Sequence, residues 1–122
     1  QEITINRQDV QQLQLAKAAI RSGIEVLLRE ASIHAEDIDQ VLVAGAFGSY
    51  LDMANCQRIG LLPELPLERV RQVGNAAGAG TREMLLSTTK RAEAEAMLDK
   101  IEYIELTTIR DYVDLFTDAI GF

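Results

Sequence analysis

Val41-Leu42-Val43-Ala44-Gly45-Ala46-Phe47-Gly48-Ser49-Tyr50 decides the fold class of this chain. Four apolar residues, two of them β-branched and with no polar interruption, predict a short strand buried on both faces. Gly45 and Gly48 then predict a loop at its carboxyl end, which is where ligands sit in open α/β sheets. Glycine there removes Cβ and permits positive φ, so a ribose or phosphate could approach the backbone. The G-x-x-G spacing alone is more often a tight strand-to-helix turn than a ligand loop. The third glycine of a G-x-G-x-x-G dinucleotide fingerprint is absent.

Outward from this strand, the chain alternates helix and strand. Upstream, Ile3-Thr4-Ile5 is a short extended stretch, and Asn6 is an N-cap whose side chain can accept from first-turn amides, with Asp9 adding favourable negative charge. Val10, Leu13, Ala16 or Lys17, Ile20, Ile24, Leu27 and Leu28 recur at helical spacing, which predicts a helix to about Glu30 with that stripe inward. Gly23 within it predicts close approach of another backbone. Downstream, residues 53–59 read as a short helix, and Gly60, Pro63 and Pro66 as an irregular connection. Residues 70–73 read as a second strand, 76–87 as a helix capped by Asn75, 90–99 as a charged helix and 101–106 as a third strand. A last helix begins at Asp111, with Tyr112, Val113, Phe116 and Ile120 on one face. The class is α/β, a small and mostly parallel sheet with flanking helices.

Gly74-Asn75-Ala76-Ala77-Gly78-Ala79-Gly80 follows the second strand. Small residues four apart serve either close helix packing or a bare helix N-terminus whose amides and dipole face a ligand. Two glycine-rich turns at the ends of successive strands can share one site, and that favours a nucleotide crevice.

Composition bounds the rest. Apolar residues are 48% and charged ones 25%, the balance of a folded single domain rather than a disordered chain. Twelve basic residues lie scattered among nineteen acidic ones, giving a net charge of −7. That argues against nucleic acid and anionic membrane as partners, since both select clustered Lys and Arg. Cys56 is the sole cysteine, which leaves no disulfide framework and no cysteine cluster for a metal, and points to a reducing cytoplasm. No apolar run approaches the ~20 residues of a membrane span. A chain opening on Gln1 and entering a helix almost at once is expected to be part of a longer protein.

Other polar residues read as structural. His34 is expected in an exposed connection, Cys56 as a small core residue, and Asp37 and Asp39 in a turn before the first strand. Asp52 is either an N-cap or a magnesium ligand, the cap being the commoner use. Lys90 to Lys100 reads as a solvated helix face. No nucleophile–base pair has supporting context, so no catalytic residue and no metal ligand is assigned.

The blocks just described, with 15–24, 37–52, 58–63 and 73–80 in this order, resemble the C-terminal domain of the reductive activators of corrinoid proteins. These are similar to actin, Hsp70 and the acyl-CoA dehydratase activators in their ATPase core. The resemblance implies a partial actin/Hsp70-like (ribonuclease H-like) ATPase lobe, with residues 1–122 as a single C-terminal piece. It implies ATP or ADP with magnesium as ligand, at Gly45, Ala46, Phe47 and Gly48 as the adenosine motif and Gly74, Asn75 and Gly78 as its border. Gly45 matches the superfamily's usual Gly-Gly after the strand, whereas Ala46 replaces the second glycine and leaves a methyl group in the way.

Family members couple ATP to placing an electron on an oxidised cobalt corrinoid through an N-terminal [2Fe–2S] domain. The implied partner is a corrinoid protein, the implied location cytoplasmic, and a homodimer is expected because the missing upstream strands leave a sheet edge unpaired. The isolated chain is not expected to hydrolyse ATP, since the phosphate-binding loops belong to the missing half. Two alternatives stay open: a protein-interaction module without nucleotide affinity, and an activator of another Fe–S or cofactor enzyme.

Overall fold

Asn6 starts the first helix as its side chain predicts. In the computed structural model, which describes residues 3–122, its Oδ1 accepts from the amides of Gln8 (2.8 Å) and Asp9 (3.1 Å). The Asp9 carboxylate accepts in return from the Asn6 amide at 2.9 Å, a reciprocal capping box. Helix α1 then spans Arg7–Glu30. It is followed by strand β1 (Val41–Ala44), helix α2 (Met53–Arg58), strand β2 (Val70–Gly74), helices α3 (Ala76–Leu86) and α4 (Thr88–Met97), and helix α5 (Tyr112–Asp118).

The expected inward stripe of α1 is only partly turned inward: Ile24 and Leu28 are half-buried, but Val10, Leu13, Ile20 and Leu27 are exposed. Ala18, Ser22 and Val26 are buried together with Lys17, whereas Ile20 is 47% and Leu27 57% exposed. The reason is the partner: α1 packs against α5, the small residues 18 and 22 let that helix approach, and Ser22 Oγ lies 3.4 Å from the Tyr112 hydroxyl. An ion pair closes the contact, with Arg29 Nη1 2.6 Å from Asp111 Oδ2. The hydrogen bond from Arg29 holds the Asp111 carboxyl below the ordinary carboxylate range. Lys17 donates to the Gly121 carbonyl and stands 5.5 Å from the Phe122 ring centroid, so a buried cation ties residues 121 and 122 to α1. Gly23 meets no foreign backbone; the nearest atom to a Cβ there is Leu106 Cδ1, at an ordinary 3.9 Å. On α5, Tyr112 and Phe116 are half-buried, as is Ile120 just past its end, but Val113 is exposed.

β1 and β2 form a parallel two-stranded sheet, with Val41 opposite Val70 and Val43 opposite Gln72. Ala44 then pairs with Gly74, so Val73 is an extra residue that kinks β2 next to its end. β1 is not buried on both faces. Val41 and Val43 are half-buried, while Leu42 (58%) and Ala44 are exposed, because no further layer covers that side among the described residues.

Residues 101–106 form no strand. Local bonds engage the backbone around Glu105 instead: its carboxylate accepts from the Thr107 amide (3.3 Å) and its carbonyl from Thr108 Oγ1 (2.8 Å), and a single 3-10 turn follows over Leu106–Thr108. Such local side-chain bonds compete with sheet pairing. The described residues thus contain two strands, and the sheet keeps two unpaired edges.

Ala18, Val26, Cys56, Leu62 and Leu65 make up the buried apolar core, and the solvent-accessible surface is 9605 Å². A compact 13.5 kDa protein exposes about 6,500 Å² by size scaling. Whole faces of this lobe therefore stand uncovered. Among the described residues no helix is long and apolar enough to cross a membrane.

Candidate functional site

The two glycine-rich turns are adjacent in space. β1 and β2 are parallel, so their carboxyl ends lie side by side, and the Gly45 amide donates to the Gly74 carbonyl at 2.7 Å. Both glycines have left-handed backbones, φ +102° at Gly45 and +63° at Gly74, and no other atom stands within 4 Å of where a Cβ would be. Glycine is needed there for conformation, and the vacant Cβ positions leave the strand ends open to a ligand.

Gly48 and Gly78 have different reasons. Neither is in the left-handed region. Gly48 is buried, and a Cβ on it would sit 2.8 Å from Val43 Cγ1. Gly78 donates its amide to Asn75 Oδ1 at 2.9 Å, and a Cβ there would meet Asn75 Nδ2 at 2.5 Å. A bare residue at 78 thus lets Asn75 cap α3. α3 runs eleven residues from this cap, so its N-terminal dipole opens beside Gly74. Ala46 lies exposed at the start of a 3-10 turn over Phe47–Tyr50, and Phe47 (77%) and Tyr50 (89%) project into solvent. Gly45, Ala46, Phe47, Gly48, Gly74, Asn75 and Gly78 are therefore brought together on one ledge at the sheet's carboxyl edge, with Gly48 beneath it.

This arrangement presents backbone free of Cβ, a helix N-terminus, and exposed aromatic and methyl groups. It supplies no acid cluster for magnesium, since no group of three His, Cys, Asp or Glu side chains able to hold a metal occurs among the described residues. Asp52 accepts from the Asn55 amide at 2.8 Å and caps α2, and Asp37 accepts from the His34 amide at 2.9 Å. His34 and Asp39 are exposed. Cys56 is buried on α2, and burial followed by the Asp52 charge pushes its thiol up, away from the thiolate needed for reactivity.

One residue of this region escapes a reading by pattern. Gln72 follows Arg71 in the second strand as any solvent-facing polar residue would, yet its Nε2 donates to the carbonyls of Gly48 (2.6 Å) and Leu51 (2.8 Å). Only the register of β2 against β1 brings it over the loop.

Residues 1–122 match the family model described as the C-terminal domain of RACo, the ASKHA domain. The corrinoid activation enzyme RamQ of Eubacterium limosum is 39% identical over 115 residues, covering 94% of this chain and 19% of that protein. A [Co(II) methylated amine-specific corrinoid protein] reductase of Methanosarcina barkeri is 30% identical, covering 98% of this chain and 22% of its own length. A solved reductive activator for corrinoid, iron-sulfur protein superposes with a TM-score of 0.89 at 36% identity, over 97% of this chain and 19% of that one. The chain thus spans about a fifth of the length of the relatives it matches. Family model, relatives and superposition agree on the lobe built above, and the chain belongs to the family of the C-terminal ASKHA domain of the reductive activators of corrinoid proteins.

Proposed function

We propose that this chain is the adenosine-facing part of an ATP-dependent reductive activator of corrinoid proteins. The observation that carries the reading is the bond between Gly45 and Gly74, two left-handed glycines joined at neighbouring parallel strand ends. The chain's own contribution is to present backbone and the α3 N-terminus to the nucleoside side of the ligand. Magnesium and the terminal phosphates would be held by other parts of the full-length protein. Electrons would enter through a [2Fe–2S] domain elsewhere in that protein, and the acceptor would be the cobalt corrinoid of a partner protein in the cytoplasm.

The test is an NMR titration of the chain with ADP. Shifts are expected at residues 45–48 and 74–80, with affinity on the order of millimolar because one wall of the cleft is present. Shifts confined to other segments would remove the nucleotide reading. In the full-length protein, ATP is expected to be required for reduction of the Co(II) corrinoid, followed by its absorbance.

A second reading has a specific observation behind it. Leu42, Phe47 and Tyr50 are exposed apolar groups around the same ledge, and Ala46 carries a methyl where the superfamily has glycine, which would suit a protein contact in place of a nucleotide. ADP-dependent shifts at 45–48 decide between the two.

We also propose that the chain self-associates. Its surface exceeds that of a compact protein of its mass by about 3,000 Å², more than one partner's half of a typical obligate interface, and both sheet edges are unpaired. Light scattering over a dilution series is expected to show a dimer at the highest concentrations. A monomer throughout would mean that the open faces are covered only by other segments of the full-length protein.

A further inference from the structure

Two side chains, Arg69 just before β2 and Gln72 within it, staple the two ends of the β1 segment. At the near end, Arg69 Nη1 donates to the carbonyls of Glu36 (3.0 Å) and Ile38 (3.1 Å), which fixes the chain before β1. At the far end, Gln72 Nε2 donates to the carbonyls of Gly48 and Leu51, at either end of the turn that follows Gly45. Apart from the packing of buried Gly48 on Val43, that turn is held by few bonds of its own: Ser49 amide to Ala46 carbonyl (3.2 Å), Leu51 amide to Gly48 carbonyl (3.3 Å) and Ser49 hydroxyl to Gly45 carbonyl (3.5 Å), while Phe47 and Tyr50 are exposed. The Val73 bulge lies one residue beyond Gln72, between the staple and Gly74.

We propose that Gln72 is a positioning residue for the nucleotide loop: its amide, by donating two hydrogen bonds, holds residues 46–51 in the conformation that keeps Gly45 against Gly74. This rests on the nucleotide reading above. Both protons of one amide are committed, so the position requires a double donor of glutamine length. A carboxylate would set negative charge against two carbonyl oxygens, and a thioether of the same length would leave both without their donor.

The variants Gln72→Met and Gln72→Glu in the full-length protein test this. First, hydrogen exchange without ligand is expected to rise at the Ser49 and Leu51 amides in Gln72→Met, while α2 is unchanged. Second, ADP affinity is expected to fall about tenfold in Gln72→Met, and in Gln72→Glu at about pH 8. As pH falls towards about 5.5, Gln72→Glu should recover part of the loss. A Glu facing carbonyl oxygens binds its proton above the ordinary range, and the protonated acid is again a donor. Wild type and Gln72→Met should show no such recovery, and a purely structural residue would not give this pH signature. Unchanged loop exchange in Gln72→Met overturns the staple. Faster exchange with unchanged ADP affinity overturns the positioning role. Absence of ADP binding by the wild type overturns the nucleotide reading instead, and exchange at Ser49 and Leu51 still decides whether Gln72 holds the loop.

Discussion

Gly45→Val is expected to destabilise the lobe by about 3 kcal/mol, and Gly74→Val by about 2 kcal/mol, as shifts of the urea midpoint followed by circular dichroism. Both positions are left-handed, but not equally. Gly74, at φ +63°, sits in the basin that asparagine also visits, whereas Gly45, at +102°, lies beyond it. The pair Gly74→Asn and Gly45→Asn therefore separates conformation from crowding. Asparagine should cost less than about 1 kcal/mol at 74 and clearly more at 45. Space cannot produce this difference, since a Cβ meets nothing within 4 Å at either position. An unchanged midpoint in Gly45→Val would contradict a strained strand-end turn. Nucleotide response should be lost with folding at 45, while at 74 asparagine should keep the fold and still obstruct the ledge.

Local chemistry was legible in the sequence wherever one residue's own geometry decides the outcome. Asn6, Asp52 and Asn75 cap the helices they precede, because a short acceptor before an apolar-periodic run has one good use. The α/β class and the strand-end position of Gly45 and Gly74 were legible for the same reason. What required coordinates was every choice made by a partner. Periodicity showed that α1 has faces, but the side meeting α5 is the small-residue side around Ala18 and Ser22, and of the larger apolar stripe Ile24 and Leu28 are half-covered while Ile20 and Leu27 stay open. The run Val41–Ala44 reads as buried on both faces, a property of a full sheet that two strands do not provide. Residues 101–106 have a strand's composition, but at Glu105 the backbone is bonded locally, its carboxylate accepting from the Thr107 amide and its carbonyl from the Thr108 hydroxyl. Gln72 illustrates the limit for the site: glutamine in a strand carries no signal until the register shows which carbonyls it faces.

Gly48 combines these two kinds of information, and its replacement should reveal a coupling that conformation alone would not. Positive φ is not what requires glycine here; the close neighbour is the side chain of Val43, 2.8 Å from the missing Cβ. Valine's branched Cβ leaves it few rotamers, so Val43 cannot swing aside as a longer side chain could. Gly48→Ala is therefore expected to cost about 2 kcal/mol through overpacking, and Gly48→Val more. Val43→Ala alone should cost about 1–2 kcal/mol by leaving a void next to a half-buried strand residue. In the double variant Gly48→Ala/Val43→Ala the new methyl occupies the space vacated by the two valine methyls. The combined loss should then fall short of the sum by about 1 kcal/mol or more. The Gly48 carbonyl is also the acceptor 2.6 Å from Gln72 Nε2, so pushing residue 48 off β1 should speed exchange at Leu51 in Gly48→Ala and slow it again in the double variant. Strict additivity of the two urea midpoints would mean that the loop relaxes freely away from Val43, and that the turn after β1 is not held against its own strand.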